Sequence, residues 1–293
     1  MTMNFKGTGV AIVTPFRKYG TVDFTALGNL VEHIISNGVD YIVALGTTSE
    51  AATLTEDEKQ AVVDFVIETN NGRVPLVVGM GGNNTQAVIN QIKKTSFEGI
   101  DGILSVAPYY NKPQPKGIYQ HFNTISSASP VPVIIYNVPS RTSVNIPTEI
   151  TLKLAAENEN IVAIKEASGD MTQIMEIIKH KPKDFVVLSG DDNLTLAMMA
   201  MGAEGVISVV ANALPKEFST MVNLALEGKI VEAREIHYKV MEIIEALFAD
   251  GNPAGIKAAL EILGLMQNYL RLPLVKANKT VYHTLQKLLQ ELK

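Results

Sequence analysis

The stretch NIVAIKEASG, residues 160–169, runs four apolar residues, Ile161 to Ile164, straight into Lys165 and Glu166. An unbroken apolar run of strand length, with no polar residue at alternate positions, reads as a strand buried on both faces. Buried strands seldom close on a lysine. Either its ammonium reaches water beyond the strand end, or an amine is wanted there.

Seven other runs have the same character: GVAIVTP, DYIVALGTT, PLVVGMGG, GILSVAPYY, PVIIYNVP, FVVLSGDD and GVISVV. Segments with apolar residues at helical spacing separate them, such as TEDEKQAVVDFVIETNN and NTQAVINQIKKTSFEG, which open on Thr and Asn, both good helix caps. The repeat is roughly 20 to 35 residues, the size of a strand–helix unit. Eight such units predict a (β/α)8 TIM barrel, since apolar strands alternating with helices imply a parallel sheet covered on both sides. An open doubly wound sheet is the rival. It is disfavoured because GMGGNN, residues 79–84, has Asn84 where a dinucleotide fingerprint needs its third glycine. The strand signal stops after residue 228. Residues 1–228 are therefore expected to form the barrel, and 229–293 a C-terminal helical appendage built from VEAREIHYKVMEIIEALF, NPAGIKAALEILG and KTVYHTLQKLLQEL.

Composition narrows the function. The 293 residues carry a net charge of −5 with no basic helical stripe, which argues against nucleic acid and anionic membranes as partners. Cysteine is absent and the five histidines are scattered, so no disulfide framework and no metal site is expected. The opening MTMNFKGTGVAIVTPF has an apolar run too short, and broken by Pro15, for a signal peptide, and no stretch reaches membrane-spanning length. A cytoplasmic protein is expected.

In a barrel, catalytic groups gather at the C-terminal ends of strands. Those ends supply Thr47 and Thr48, Tyr109 and Tyr110, Tyr136 and Arg141, Lys165, and Gly190. Alternation places Ile161, Ala163 and Lys165 on one strand face, so Lys165 can point into the mouth. A lone strand-end lysine is usually snorkelling or ion-paired. Among these neighbours the better reading is a nucleophile, its pKa lowered from about 10.4 by desolvation so that a neutral amine can attack a carbonyl. Tyr136 is either a barrel-core aromatic or a proton shuttle beside an iminium. Arg141 is either a surface cation or a planar fork for a substrate carboxylate. In ALGTTSEAATL the turn after Gly46 reads equally well as an anion-binding concavity and as a helix cap. The paired tyrosines before Pro113 and Pro115 suggest an interface or a lid.

GTTSEAATL, YYNKP, YNVPSRT, IKEASGD, LSGDD and GVISV, taken in order, resemble the dihydrodipicolinate synthase family, within the pyruvate-dependent class I aldolase superfamily that also holds N-acetylneuraminate lyase. NPAGIKAAL and LRLPL extend the resemblance through the tail. It implies a cofactor-free lyase that condenses pyruvate with L-aspartate 4-semialdehyde, giving 4-hydroxy-tetrahydrodipicolinate for diaminopimelate and lysine biosynthesis. Lys165 would form the Schiff base. Tyr136, Thr47 and Tyr110 would relay protons, with Tyr110 lent by a neighbouring subunit of a homodimer or of a homotetramer built as a dimer of dimers. Thr48 would hold the pyruvate carboxylate, Gly190 and Ile207 would line the pocket, and Arg141 would receive the second substrate. A related lyase acting on N-acetylneuraminate or a 2-keto-3-deoxy sugar acid is the alternative, and the arginine of SRT speaks against it.

Two departures from the family pattern stand out. Ser49 replaces the usual glycine of GTTGE, which would be strained if that position needs positive φ. Feedback by lysine, where members of the family have it, uses residues matching Ala51, Asn83 and Tyr109, with a glutamate at the position of Ala87 and a histidine at that of Lys59. Losing a carboxylate and gaining a cation there predicts weak or absent inhibition by lysine.

Overall fold

The computed structural model describes residues 5–292. Eight strands, β1 (Gly7–Ala11), β2 (Tyr41–Ala44), β3 (Leu76–Gly79), β4 (Gly102–Val106), β5 (Val133–Asn137), β6 (Ile161–Glu166), β7 (Val186–Ser189) and β8 (Gly205–Ser208), pair in parallel in chain order and close where β8 meets β1. A helix separates each strand from the next. This is the (β/α)8 barrel that the alternating runs predict.

Local chemistry starts the helices where the caps suggested. Thr55 accepts the Glu58 N–H of helix Glu56–Asn70 while the Glu58 side chain returns to the Thr55 N–H, and three acidic residues occupy the first turn. Asn84, the residue that spoils the dinucleotide pattern, caps helix Thr85–Lys94 by accepting the Ala87 N–H at 3.2 Å.

Strand alternation divides the apolar residues between two cores. Tyr41 and Val43 of β2 face the barrel interior, whereas Ile42 and Ala44 meet the helices. Each fully buried aliphatic side chain contributes about 1.5–3 kcal/mol, so covering both faces makes the runs uniformly apolar. Tyr41 fits inside only because Gly9 lacks a side chain: a Cβ there would stand 2.2 Å from the ring.

One alternation differs from expectation. Between β5 and β6 the register slips, with Val133 opposite Ile161 but Ile134 opposite Ala163, leaving Val162 as an extra residue. Ile161 therefore joins the outer core together with Ile164, while Ala163 lies in the inner one. The bulge corrects the expected common face of Ile161, Ala163 and Lys165; only the last two share it.

Beyond the barrel the chain forms helices Ile230–Phe248, Ala254–Ile262 and Lys279–Glu291. The connection after the first of them passes the C-terminal mouth of the barrel, where Asn252 meets Thr48. No described helix is long and apolar enough to cross a membrane.

Candidate active site

Tyr136 and Lys165 are register partners on β5 and β6. Lys165 is buried, 5% exposed, and its Nζ stands 4.4 Å from the centre of the Tyr136 ring. Burial lowers the pKa of the amine to about 8, with the Asp192 carboxylate opposing that shift and the Arg141 charge reinforcing it. Burial also pushes the Tyr136 phenol up to about 12, although Arg141 and the Thr47 hydroxyl pull it back. A readily deprotonated amine thus sits against a phenol that keeps its proton.

Six of the residues chosen from the sequence line one cavity of about 310 Å3: Thr47, Thr48, Tyr136, Arg141, Lys165 and Gly190. Gly190 is needed for space, since a Cβ there would lie 2.9 Å from Cε of Lys165 and 2.8 Å from Cβ of Ala167. Arg141 rides on the short helix Pro139–Thr142 that Pro139 begins. Its guanidinium makes one hydrogen bond among the described residues, to the Asn252 carbonyl at 3.4 Å, which leaves donors free for an anion. Two chosen residues lie elsewhere. Ile207 is buried in the inner core and does not line the cavity. Tyr110 is 88% exposed and does not line Lys165's cavity within its own chain.

Thr47–Ser49 forms a 3-10 turn, closed by the Glu50 N–H to the Thr47 carbonyl. The following helix has its own cap in Thr55, so the turn is no helix cap; it lines the cavity. Ser49 is outside the left-handed region and its hydroxyl donates to the Ile12 carbonyl at 2.6 Å, so replacing glycine there brings no strain. The left-handed residues that flank this turn are Leu45 and Glu50, at φ 56° and 54°.

Several residues that reading the strand ends passed over belong to this neighbourhood. Asp192 lies two residues beyond Gly190, in the GDD that ends the seventh run. Its Oδ2 accepts the Val209 and Val210 N–H groups at 3.0 and 3.3 Å, and burial raises its pKa to about 6. Asn252 donates to the Thr48 hydroxyl at 2.9 Å. Lys257, from helix Ala254–Ile262, pairs with Glu50, and Arg271 pairs with Glu58. The helical tail is therefore part of the mouth. Only its NPAGIKAAL and LRLPL motifs hinted at that.

A larger cavity, about 800 Å3, lacks Lys165 and is lined by Lys59, Asn83, Ala87 and Tyr109 among others. A third, of about 470 Å3, borders both, sharing Tyr136 and Arg141 with the lysine cavity and Lys59 and Tyr109 with the larger one; Ala51 lines it too. The perturbed amine lies in the small one, which makes that cavity the candidate active site. Among the described residues no group of three metal-binding side chains occurs.

A parallel barrel holding a desolvated strand-end amine against a phenol, with a lightly held guanidinium in the same cavity, has the layout of the lysine-dependent aldolases. The chain belongs to the dihydrodipicolinate synthetase family, which matches it over residues 4–292. It is 51% identical to the 4-hydroxy-tetrahydrodipicolinate synthase of Parabacteroides distasonis over 290 residues, 99% of this chain and 98% of that one. The crystal structure of dihydrodipicolinate synthase from Aquifex aeolicus superposes with a TM-score of 0.95 at 44% identity, covering 98% of both chains. A second solved relative, from Cyanidioschyzon merolae with lysine bound, has a TM-score of 0.95 at 38% identity and covers 99% of both chains.

Proposed function

We propose that this chain is a Schiff-base lyase that condenses pyruvate with L-aspartate 4-semialdehyde to 4-hydroxy-tetrahydrodipicolinate, in diaminopimelate and lysine biosynthesis. The observation that carries this reading is the buried Lys165 amine, its pKa lowered to about 8, beside Tyr136 and within the same cavity as Arg141.

The neutral amine attacks the pyruvate ketone, and loss of water gives an iminium. That cation is the electron sink, so a C3 proton leaves to form an enamine without any cofactor. The enamine carbon adds to the aldehyde of the second substrate. The new product's own amine then attacks the imine carbon, displaces Lys165 and closes a six-membered ring. Tyr136, Thr47 and Tyr110 carry the protons, Thr48 holds the pyruvate carboxylate, and Arg141 holds the carboxylate of the semialdehyde. Gly190 leaves room for the bound ketone. Ile207 acts from beneath, as packing under the pocket floor.

The working form is a homodimer or a dimer of dimers in the cytoplasm. Support for association comes from Tyr110 itself, almost fully exposed, and from exposed Leu272, Leu274 and Val275 in the tail; Tyr109 and Leu274 border one cavity. Tyr110 then enters the neighbour's site.

Borohydride reduction in the presence of pyruvate, read by peptide mass spectrometry, tests the scheme. The adduct belongs on the peptide containing Lys165 and disappears in Lys165→Ala, whereas Tyr136→Phe retains slower trapping with lower turnover. An adduct on another peptide, or none with wild type, overturns the reading. Neuraminate cleavage assayed alongside semialdehyde condensation separates it from the sugar-acid lyases.

A further inference from the structure

Glu166 follows Lys165 directly, and strand alternation sends its side chain to the opposite face of β6. It is fully buried, yet every group that donates to it is neutral. Oε1 accepts the Ser168 N–H at 2.8 Å and the Asn137 amide at 3.2 Å, while Oε2 accepts the amides of Asn137 at 3.1 Å and Gln173 at 3.2 Å. A buried carboxylate that meets no cation among the described residues is costly and calls for a purpose.

Its partners indicate one. Asn137 ends β5 and staples the base of the loop that carries Arg141: its Oδ1 accepts the Ile146 N–H at 3.0 Å, and its Nδ2 donates to Asn145 at 2.8 Å. Asn145 donates in turn to Gln173 at 2.8 Å, and Gln173 returns a hydrogen bond at 3.3 Å. Between these staples the loop is braced internally, with the Thr142 hydroxyl donating to the Val144 carbonyl at 2.8 Å. The Arg141 side chain has so little holding it, a single 3.4 Å hydrogen bond, that its position depends on the loop base.

We propose that Glu166 is a positioning residue for the second substrate: through Asn137, Asn145 and Gln173 it fixes the Arg141 loop relative to the Lys165 nitrogen. This rests on the proposed roles of Lys165 and Arg141. One peptide joins the residue that bonds the keto acid to the residue that sets where the aldehyde's carboxylate is caught. Only a carboxylate suits the task, because the Ser168, Asn137 and Gln173 groups that meet it all donate, and an amide would put a further donor where an acceptor is needed.

The test uses the full chain carrying Glu166→Gln, and separately Asn145→Ala, an exposed position whose loss spares the barrel wall. Two quantities are measured: the rate of borohydride-trappable pyruvate adduct, and KM for L-aspartate 4-semialdehyde at saturating pyruvate. The aldehyde KM should rise at least about tenfold while trapping stays within about twofold of wild type. A role in packing alone would not separate the two substrates. If Glu166→Gln does not fold, Asn145→Ala decides. An unchanged aldehyde KM, or trapping that falls in parallel with aldehyde use, overturns the proposal in an active wild-type background. A wild type that neither traps pyruvate nor condenses the pair overturns the functional reading beneath it, and this inference with it.

Discussion

The Lys257 ammonium stands 2.5 Å from Oε1 of Glu50, and neither side chain has any exposed surface. Lys257 also donates to the Tyr269 carbonyl at 3.0 Å, and the other Glu50 oxygen accepts the Arg271 N–H at 3.0 Å. The pair bolts the tail to the residue just beyond the Thr47–Ser49 turn. Removing one partner strands a buried charge, so Lys257→Met should lose about 3–5 kcal/mol of unfolding free energy. Glu50→Gln combined with Lys257→Met should lose distinctly less than the two single losses added together. Urea denaturation of all three variants is the check, and strictly additive losses would refute a coupled pair.

Gly190 leaves the space beside the Lys165 side chain that any larger residue would take. The methyl of Gly190→Ala would sit 2.9 Å from Cε of Lys165 and 2.8 Å from Cβ of Ala167. We expect pyruvate trapping to slow by at least about tenfold, with the thermal midpoint shifted by only a few degrees. Trapping at the wild-type rate would mean that Lys165 can move aside freely.

The pH dependence follows from two shifts of opposite sign. Lys165 is lowered to about 8, so the attacking neutral amine gains population as pH rises through that value. Tyr136 is raised to about 12 and keeps its proton throughout the usual assay range. A plot of kcat/KM for pyruvate should therefore climb with a midpoint near 8, with no basic limb from Tyr136 below about pH 11. A midpoint near an ordinary lysine's value would contradict the desolvated amine.

Lysine should inhibit weakly or not at all. Lys59 and Ala87 both line the 800 Å3 cavity, and Lys59 is paired with Glu56 at 2.7 Å, which takes up one nearby carboxylate. Half-maximal inhibition by submillimolar lysine in a steady-state assay would refute this. Lys59→His with Ala87→Glu should strengthen whatever inhibition exists.

If Tyr110 crosses to a neighbour, complementation follows. Tyr110→Phe and Lys165→Ala chains, each crippled alone, should regain activity when mixed and allowed to exchange, because one hybrid site then has both residues. Activity that never exceeds the sum of the separate chains would place Tyr110 outside the neighbour's site.

Local pattern made the barrel legible. Uniformly apolar runs such as Val133–Ile135, and caps such as Thr55 and Asn84, act over a few residues and can be read along the chain. The same holds for strand-end chemistry: Lys165, Tyr136, Arg141, Gly190 and the two threonines meet in one cavity because equivalent strand ends share one rim. Tyr110 and Ile207 show the limit. Occupying a strand end does not say whether a side chain enters the pocket, packs beneath it or leaves the chain's own site.

What the sequence by itself determined is thus the repeating unit, its number and the rim on which polar groups collect, since each depends on spacing within a single strand or helix. Only tertiary structure decided the rest. Val162 bulges because β6 must match β5, and Ser49 escapes strain because Glu50 takes the left-handed turn in its place. Asn252 reaches Thr48 across 204 residues, a contact written in no local pattern. Hydrogen bonds and buried charges choose partners by proximity in space, and proximity exists only after the chain has closed on itself.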